Sequence, residues 1–257
     1  MSYIKVENLS KRFVRRGQMT EALSEINLDI HQGSFVSFIG PSGCGKSTLL
    51  RIIGGLMGAE EGGITVGGRT PFEMQADKQF GFVPQSPALF PWRSVLQNMN
   101  IPFEVNRKSK TDLSGEEGDP IELLHAVGLG DFMHAYPKEL SGGMKQRVGI
   151  ARAFASGAPI LLMDEPFSAL DEITRELLMH MLMKIWEQHK KTVIFVTHNI
   201  QEAVYLSDKV VIMSSRPGRI SYDVDIDLPR PRGEAIIESS EFYQYVVQLR
   251  ELLRERW

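Results

Sequence analysis

The chain reads FVSFIGPSGCGKSTLLRIIGGL over residues 35–56, and this stretch indicates the class of fold. A short run typical of a buried strand precedes a glycine-rich segment, and a helical pattern follows it. The glycine-rich segment matches the pattern G-x-x-x-x-G-K-[ST] at Gly40, Gly45, Lys46 and Ser47. Glycines let backbone N–H groups turn toward an anion, and the helix N-terminus adds partial positive charge. The context predicts a phosphate-binding loop rather than a turn that only joins strand to helix.

The side chains of this loop suggest how it would hold a nucleotide. Lys46 is predicted to bind the β- and γ-phosphates of ATP, and the Ser47 hydroxyl to ligate Mg²⁺. The other loop residues expected at the nucleotide are Gly40, Pro41, Ser42, Gly43, Cys44, Gly45 and Thr48. Cys44 has no identifiable His or Asp partner in the sequence, which favours a small loop residue over a catalytic nucleophile. Its thiol is nevertheless expected to react with alkylating reagents, and ATP to slow that reaction.

A second acidic element reads ILLMDEPFSALD over residues 160–171. Four apolar residues of a buried strand end in two carboxylates, Asp164 and Glu165. Strand ends of an open α/β sheet face the ligand, so these groups can converge on phosphates. Asp164 is predicted to support Mg²⁺, and Glu165 to orient and deprotonate the attacking water. The alternative is a capped helix start.

Composition narrows the classes of protein that remain. The 257 residues carry a net charge of -3, which gives no broad reason to bind nucleic acid. The single cysteine excludes an internal disulfide and fits a reducing compartment. No run approaches 18 apolar residues, and the N-terminus lacks an apolar signal region. We therefore expect a cytoplasmic chain that needs a partner for any membrane role.

Apolar strand patterns alternate with helical ones along the chain, which indicates a parallel sheet covered by helices. The predicted strands are centred on residues 4–6, 35–39, 80–83, 160–163, 193–196 and 210–213. Residues 92–157 contain no convincing strand and are predicted to form an inserted helical subdomain, with a polar surface loop at 105–120. The predicted division is an α/β core from 1–91 and 158–220, the helical subdomain, and a C-terminal extension, 221–257, with an amphipathic helix.

Residues 140–146, LSGGMKQ, supply a second anion-binding pattern. Ser141 is a good N-cap, and the glycines after it permit close approach to an anion. Here the chain resembles the ATP-binding cassette family. The resemblance rests on six motifs in order: the phosphate loop at 40–47, Gln85, the signature at 140–146, the acidic strand at 160–165, the segment 168–171 and His198.

The resemblance implies a P-loop NTPase fold whose parallel sheet is joined by N-terminal antiparallel β elements. It implies a head-to-tail dimer with a second copy of the chain or with a homologous ATPase subunit. In that dimer Ser141, Gly142 and Gly143 of one subunit cap the γ-phosphate of ATP bound to the other, with Asp171 nearby. It makes His198 a catalytic histidine that holds Glu165 and the water in place. Gln85 would contact Mg²⁺ and the attacking water and connect them to the segment that follows it. Phe13 would stack on adenine, although a core role for Phe13 stays open.

The segment FVPQSPALFPWRSVLQNM, residues 82–99, resembles the subfamily that serves importers of nitrate, sulfonate, taurine and related solutes. That resemblance implies membrane permease subunits docking near Leu89, Phe90, Trp92 and Arg93, a separate solute-binding protein, and a place at the cytoplasmic face of the membrane. Phe90 and Trp92 could instead fill the interface between the two lobes. An iron-sulfur cluster assembly ATPase is the alternative function. The later piece VVIMSSRPGRISYDVDIDLPRPR, residues 210–232, which ends in DIDLPRPR, looks like the C-terminal pattern of the same subfamily.

Overall fold

The computed structural model describes residues 2–15, 17–106, 118–215 and 217–255. Its strands are β1 Ser2–Arg15, β2 Gln18–His31, β3 Phe35–Ile39, β4 Glu61–Val66, β5 Phe80–Val83, β6 Ile160–Asp164, β7 Thr192–Val196, β8 Lys209–Ser214 and β9 Arg219–Asp225. Its α-helices are α1 Lys46–Ile53, α2 Pro71–Ala76, α3 Val95–Met99, α4 Ile101–Asn106, α5 Pro120–Ala126, α6 Gly142–Ala155, α7 Glu172–His189, α8 Ile200–Leu206 and α9 Ser240–Arg254. The chain divides into two compact units, Met1–Ala76 with Thr192–Trp257, and Asp77–Lys191.

The first unit contains an antiparallel sheet of order β2-β1-β4. Toward its end β2 alternates buried and exposed residues, which is the pattern of a strand with one face on a core. The sequence pointed only to residues 4–6 as a strand here, whereas β1 spans Ser2–Arg15. The sequence pattern did not indicate the full length of β1 and β2, because polar residues fill the exposed face of these strands and interrupt the apolar runs. The expected N-terminal antiparallel elements are confirmed.

The same unit holds the parallel strands that lead to the candidate site. β3 pairs in parallel with β7 on one side and β8 on the other, and β9 adds an antiparallel edge to β8. Every residue of β3 and β7 is buried, as expected for a central parallel strand covered on both faces. The predicted parallel sheet is therefore confirmed, and it places the loop at 40–48 directly after a buried strand.

The second unit combines the parallel pair β5 and β6 with helices α3 to α7. Within residues 92–106 and 118–157, the described part of the predicted helical subdomain, the secondary structure is helical and contains no strand. The predicted polar loop at 105–120 is shorter at both ends. Val105 lies in α4, and Asp119 caps α5, which begins at Pro120. Residues 107–117 of that loop lie outside the described residues.

Residues 221–257, the predicted C-terminal extension, belong to the first unit, where α9 packs beside α8. Its buried side chains are Phe242, Val246 and Leu249, which belong to the apolar face expected from the helical spacing. Among the described residues, no helix has the length and apolar character needed to cross a membrane.

Candidate nucleotide-binding site

The loop after β3 has a backbone that glycine alone can follow at several points. Gly40, Gly43 and Gly45 have φ values of 154°, 80° and 94°. A Cβ atom on Gly40 would lie 2.3 Å from the carbonyl oxygen of Met213, and one on Gly45 would lie 2.6 Å from Leu23 Cδ2. Side chains at these two positions would therefore clash as well as strain the backbone. The observed glycine spacing is a requirement of the loop's shape.

The loop leads into the N-terminus of α1 in a way that suits an anion. Gly45 occupies the N-cap position, and glycine has no side chain that could accept a hydrogen bond from the first helical N–H groups. The first turn of α1 contains no acidic residue. Phosphate oxygens would satisfy these donors and meet the positive end of the helix dipole. The local structure thus fits the polyphosphate predicted from the sequence.

Lys46 lies inside this loop rather than in solvent. Its side chain is buried, and Nζ donates hydrogen bonds to the carbonyl oxygens of Gly40 at 2.8 Å and Pro41 at 3.0 Å. These acceptors place a positive charge at the centre of the loop, where it can interact with phosphate oxygens.

Cys44 differs from the expectation of a reactive thiol. Its side chain is fully buried, with Sγ 3.7 Å from Lys46 Nζ. Burial raises the pKa of the Cys44 thiol, although the Lys46 ammonium acts in the opposite direction. Because the thiolate is the species that reacts, the structure corrects the prediction of ready alkylation.

His198 and Phe13 also lie in the first unit. His198 follows β7, is exposed, and sits between Thr197 and Asn199, both of which bond to the first turn of α8. Phe13 lies on β1 with 38% of its surface exposed, and Lys11 Nζ is 5.3 Å from its ring centroid. This exposure argues against a core role for Phe13. Its place at adenine stays a prediction.

The acidic residues belong to the second unit. Asp164, the last residue of β6, is buried, and Glu165 follows it with a φ of 47°, which is unusual for a residue other than glycine. The Ser168 hydroxyl donates to the Glu165 carbonyl oxygen at 3.0 Å. Gln85 Nε2 donates to the same hydroxyl at 3.1 Å. The structure therefore connects Gln85 to the Glu165 backbone through Ser168, a link that sequence spacing could not reveal.

The signature residues begin α6. Ser141 is the N-cap, and its Oγ accepts the backbone N–H of Met144 at 3.2 Å, as the capping prediction requires. A Cβ atom on Gly143 would lie 2.7 Å from Thr174 Cγ2 on α7. Asp171 caps α7 by accepting the backbone N–H of Thr174 at 2.9 Å, and this hydrogen bond lowers the pKa of Asp171. The predicted nucleotide residue Asp171 therefore has a structural role as well.

The segment after Gln85 lies beside a cleft of 670 Å³ in the second unit. The cleft is lined by Gln85, Ser86, Pro87, Leu89, Pro91, Pro137, Lys138, Gly142, Lys145, Gln146, Pro166, Ala169 and Leu170. Phe90 is 40% exposed and Trp92 is 70% exposed, with ring centroids 5.2 Å apart, and Arg93 forms an ion pair with Glu104 at 2.8 Å. Most of the Trp92 side chain is therefore accessible to solvent.

Two residues that sequence reasoning missed fix the backbone of this segment. Asn98 is fully buried, accepts the Phe90 N–H at 2.8 Å and donates to the carbonyl oxygens of Phe90, Arg93 and Ser94. Arg152 donates to the Ala88 carbonyl oxygen at 2.8 Å. The sequence signal for such a role is an asparagine within an apolar helical pattern, because a buried polar side chain needs hydrogen-bond partners.

Metal binding by side chains alone is not supported. In the described ranges, no group of three or more His, Cys, Asp or Glu side chains is assembled to hold a metal ion. Mg²⁺ in ATPases is usually held by one or two protein ligands, water and the phosphates. The hydroxyl of Ser47 and the carboxylate of Asp164 are oxygen donors suited to that mode.

The fold and these local sites define a P-loop α/β ATPase. The match to a family model described as "ABC transporter" covers residues 23–168. The chain belongs to the ABC transporter family, as an ATP-binding and ATP-hydrolysing subunit.

Relatives with 42% identity or more extend over nearly the whole chain. An uncharacterized ABC transporter ATP-binding protein, MJ0412 of Methanocaldococcus jannaschii, is 47% identical over 96% of this chain and 90% of its own length. The aliphatic sulfonates import ATP-binding protein SsuB of Bacillus cereus is 43% identical over 95% of this chain and 94% of its own. The taurine import ATP-binding protein TauB of Rhizobium johnstonii is 42% identical, with 97% and 96% covered.

A solved structure supports the same family. The dimeric post-hydrolysis state of the ATP-binding cassette MJ0796, bound to ADP and Pi, matches with a TM-score of 0.74 and 33% identity. The match covers 90% of this chain and 99% of that one. The predicted family and fold are confirmed by these comparisons.

Proposed function

We propose that this chain is the ATPase subunit of an importer of small solutes such as sulfonates, taurine or nitrate. The observation that carries the proposal is the sequence identity to SsuB (43%) and TauB (42%). The matches extend over 95% and 97% of the chain and include the segment at the cleft. The alternative function is an iron-sulfur cluster assembly ATPase.

The first step is binding of ATP. Phe13 stacks on adenine, residues 40–48 surround the phosphates, and Lys46 leaves its carbonyl acceptors for the β- and γ-phosphate oxygens. The positive end of α1 and the fixed glycine backbone support this role. Ser47, Gln85 and Asp164 would hold Mg²⁺, which when bound neutralises charge on the phosphates.

The second step is attack of water on the γ-phosphorus. The water oxygen forms a bond to phosphorus, the bond to the ADP oxygen breaks, and Glu165 accepts the proton of the water. His198 holds the water and Glu165 in place, and Gln85 contacts the water. The hydrogen bonds from Gln85 through Ser168 support this arrangement, because they restrain the backbone at Glu165.

The working form is a head-to-tail dimer. Ser141, Gly142 and Gly143 of one copy complete the site around ATP bound to the other copy, with Asp171 near the same phosphates. The dimeric MJ0796 structure supports the assembly. The helical segment 92–157 then forms a domain that carries the signature, between core segments 1–91 and 158–220, and 221–257 forms the C-terminal extension.

Permease subunits of the membrane dock at the cleft beside Gln85. Leu89 and Pro91 line it. Next to them Phe90 and Trp92 are exposed, and Arg93, which is partly buried, lies over the Phe90 ring. Asn98 and Arg152 hold this segment in a fixed backbone conformation, which lowers the entropy cost of docking. The chain is then peripheral to the cytoplasmic face of the membrane, and a solute-binding protein delivers cargo on the other side.

Reconstitution tests this function directly. The chain would be purified with candidate permease subunits and placed in vesicles with a candidate solute-binding protein. ATP-dependent uptake of taurine, an alkanesulfonate or nitrate is expected. Assembly with an iron-sulfur scaffold in place of a permease, and no uptake of these solutes, would overturn the proposal.

A further inference from the structure

Two arginines of the C-terminal extension bind the end of α8. Arg232 is 4% exposed, and its Nη1 donates to the carbonyl oxygens of Val204 at 3.0 Å, Tyr205 at 2.9 Å and Ser207 at 2.8 Å. Arg230 Nη2 donates to the Leu206 carbonyl oxygen at 2.9 Å. An α-helix leaves its last four carbonyl groups without helical partners. At α8 the carbonyls of residues 204–207 all receive arginine donors.

The same guanidinium of Arg232 binds the segment that follows β9. Its Nη2 donates to the carbonyl oxygens of Ile226 at 3.2 Å and Leu228 at 3.3 Å. The Tyr205 hydroxyl donates back to the Arg232 carbonyl oxygen at 2.7 Å. The two terminal nitrogens of a guanidinium carry four N–H groups in one fixed plane and share them among these five carbonyl oxygens, whereas a lysine ammonium has three donors on a single nitrogen. This geometry is specific to arginine and joins α8 to the extension.

Arg230 extends the connection to the strand before the phosphate loop. Its Nε and Nη2 lie 2.9 Å and 2.7 Å from Asp208 Oδ1. The other oxygen of that carboxylate accepts the backbone N–H of Phe35 at 2.8 Å. Phe35 is the first residue of β3, which ends immediately before Gly40. We call Arg230, Arg232 and Asp208 the arginine clamp.

His198 lies just before the N-terminal end of α8, where Asn199 is the N-cap residue. The Thr197 hydroxyl donates to the Glu202 carboxylate in the first turn of α8, and the Asn199 N–H donates to the Thr197 hydroxyl oxygen at 3.0 Å. Asn199 Oδ1 accepts the N–H groups of Gln201 at 2.8 Å and Glu202 at 3.2 Å. Both neighbours of His198 are therefore fixed to the helix. The seven residues of α8 span about 10 Å at 1.5 Å per residue, so a tilt at one end moves the other.

We propose that Arg232 is a positioning residue for His198, acting through α8. The clamp fixes the C-terminal end of α8, and the helix carries that restraint to the backbone on either side of His198. This inference rests on the proposed role of His198 in hydrolysis. It assigns a function to the C-terminal piece DIDLPRPR, which the ATPase mechanism leaves unused.

The test is the ATPase activity of Arg232→Lys in two backgrounds, the natural chain and His198→Ala. In the natural chain we expect kcat to fall about tenfold while KM for ATP stays within about twofold, because geometry and not binding is disturbed. In the His198→Ala background we expect the same change to leave kcat within about twofold, since the group it positions is gone. The exposed residue Arg250 on α9 provides the matched control, and Arg250→Lys is expected to leave kcat and KM unchanged.

Three results would contradict the inference. An equal loss of kcat in both backgrounds would show that Arg232 only supports the fold. A rise in KM with unchanged kcat would place its effect on nucleotide binding. His198→Ala with full kcat would instead overturn the proposed role of His198, and the inference with it. If Arg232→Lys does not fold, Arg230→Gln, at a half-buried position, is measured in both backgrounds and must show the same dependence on His198.

Discussion

The side-chain amide of Gln85 donates a hydrogen bond of 3.1 Å to the hydroxyl of Ser168, across 83 residues of sequence. The same hydroxyl donates a hydrogen bond of 3.0 Å to the carbonyl oxygen of Glu165. Glu165 has a φ of 47°, a backbone conformation that costs on the order of 1 kcal/mol or more for a residue other than glycine. The chain of hydrogen bonds thus restrains a strained residue that is proposed to activate water, and it begins at a residue beside the proposed docking cleft.

Ser168→Ala tests the importance of this link. The change removes the acceptor of Gln85 and the donor to Glu165, so we expect kcat for ATP hydrolysis to fall about three- to tenfold with KM nearly unchanged. Ser240→Ala, at an exposed serine that begins α9, is the matched control and should behave like the natural chain. Steady-state hydrolysis over a range of ATP concentrations provides both constants. Unchanged kcat in Ser168→Ala would show that the restraint has no part in catalysis.

Trp92→Ala tests the docking cleft. Trp92 is 70% exposed, so its removal should leave stability and ATP binding nearly unchanged. Aromatic side chains are frequent hot spots at protein interfaces, and we expect assembly with the permease to weaken about tenfold or more. Copurification from membranes measures this effect. Phe72→Ala, at an aromatic residue 56% exposed in the other unit, should assemble normally. Normal assembly of Trp92→Ala would remove Trp92 from the interface.

Lys191 predicts a particular dependence of stability on pH. Its ammonium group is buried and donates to the Ala158 carbonyl oxygen at 2.8 Å, and desolvation lowers the pKa of Lys191 to about 8. In the unfolded chain the group keeps its proton until the pH approaches its ordinary pKa of 10.5. Between these values the unfolded state binds more protons than the folded state, so this group makes the protein more stable as pH rises.

Denaturant unfolding of the natural chain and of Lys191→Met between pH 7 and about 9.5 measures this contribution. The free energy of unfolding of the natural chain should rise relative to that of Lys191→Met, by about 2 kcal/mol at the upper pH. Lys184→Met, at an exposed lysine of α7, is the matched control for the loss of a lysine side chain. A pH-independent difference for Lys191→Met would mean that Lys191 titrates normally.

The sequence predicts the elements whose signals are local. The phosphate loop follows from Gly40, Gly45 and Lys46, because their spacing and the preceding apolar strand lie within a dozen residues. The cap formed by Ser141 follows in the same way from its own neighbours. Expectations about the central parallel strands also hold, since strands buried on both faces appear as continuous apolar runs.

Features that depend on distant contacts do not follow from the sequence. Arg232 lies 25 or more residues from the three carbonyls that it binds at the end of α8, and nothing in its neighbours indicates that it is buried. The burial of Cys44 does not follow from the sequence either, because the folded loop and not the neighbouring residues along the chain encloses the thiol. In each case three-dimensional packing decides the chemistry of the side chain.

Glu165 is proposed to act as the general base that hydrolyses ATP held by a dimer of this chain. Glu165→Gln keeps the size and hydrogen-bonding capacity of the side chain but removes its basicity, so we expect phosphate release to fall about 100-fold or more. ATP binding should persist, and size-exclusion chromatography with ATP should show a stable dimer. Glu172→Gln, at an exposed glutamate in the first turn of α7, is the control.

The most direct measurement is therefore phosphate release and oligomeric state of Glu165→Gln, recorded together at saturating Mg-ATP. We expect an ATP-dependent dimer with almost no release of phosphate, while the natural chain and Glu172→Gln hydrolyse ATP. Hydrolysis by Glu165→Gln at the rate of the natural chain would show that Glu165 is not the catalytic base.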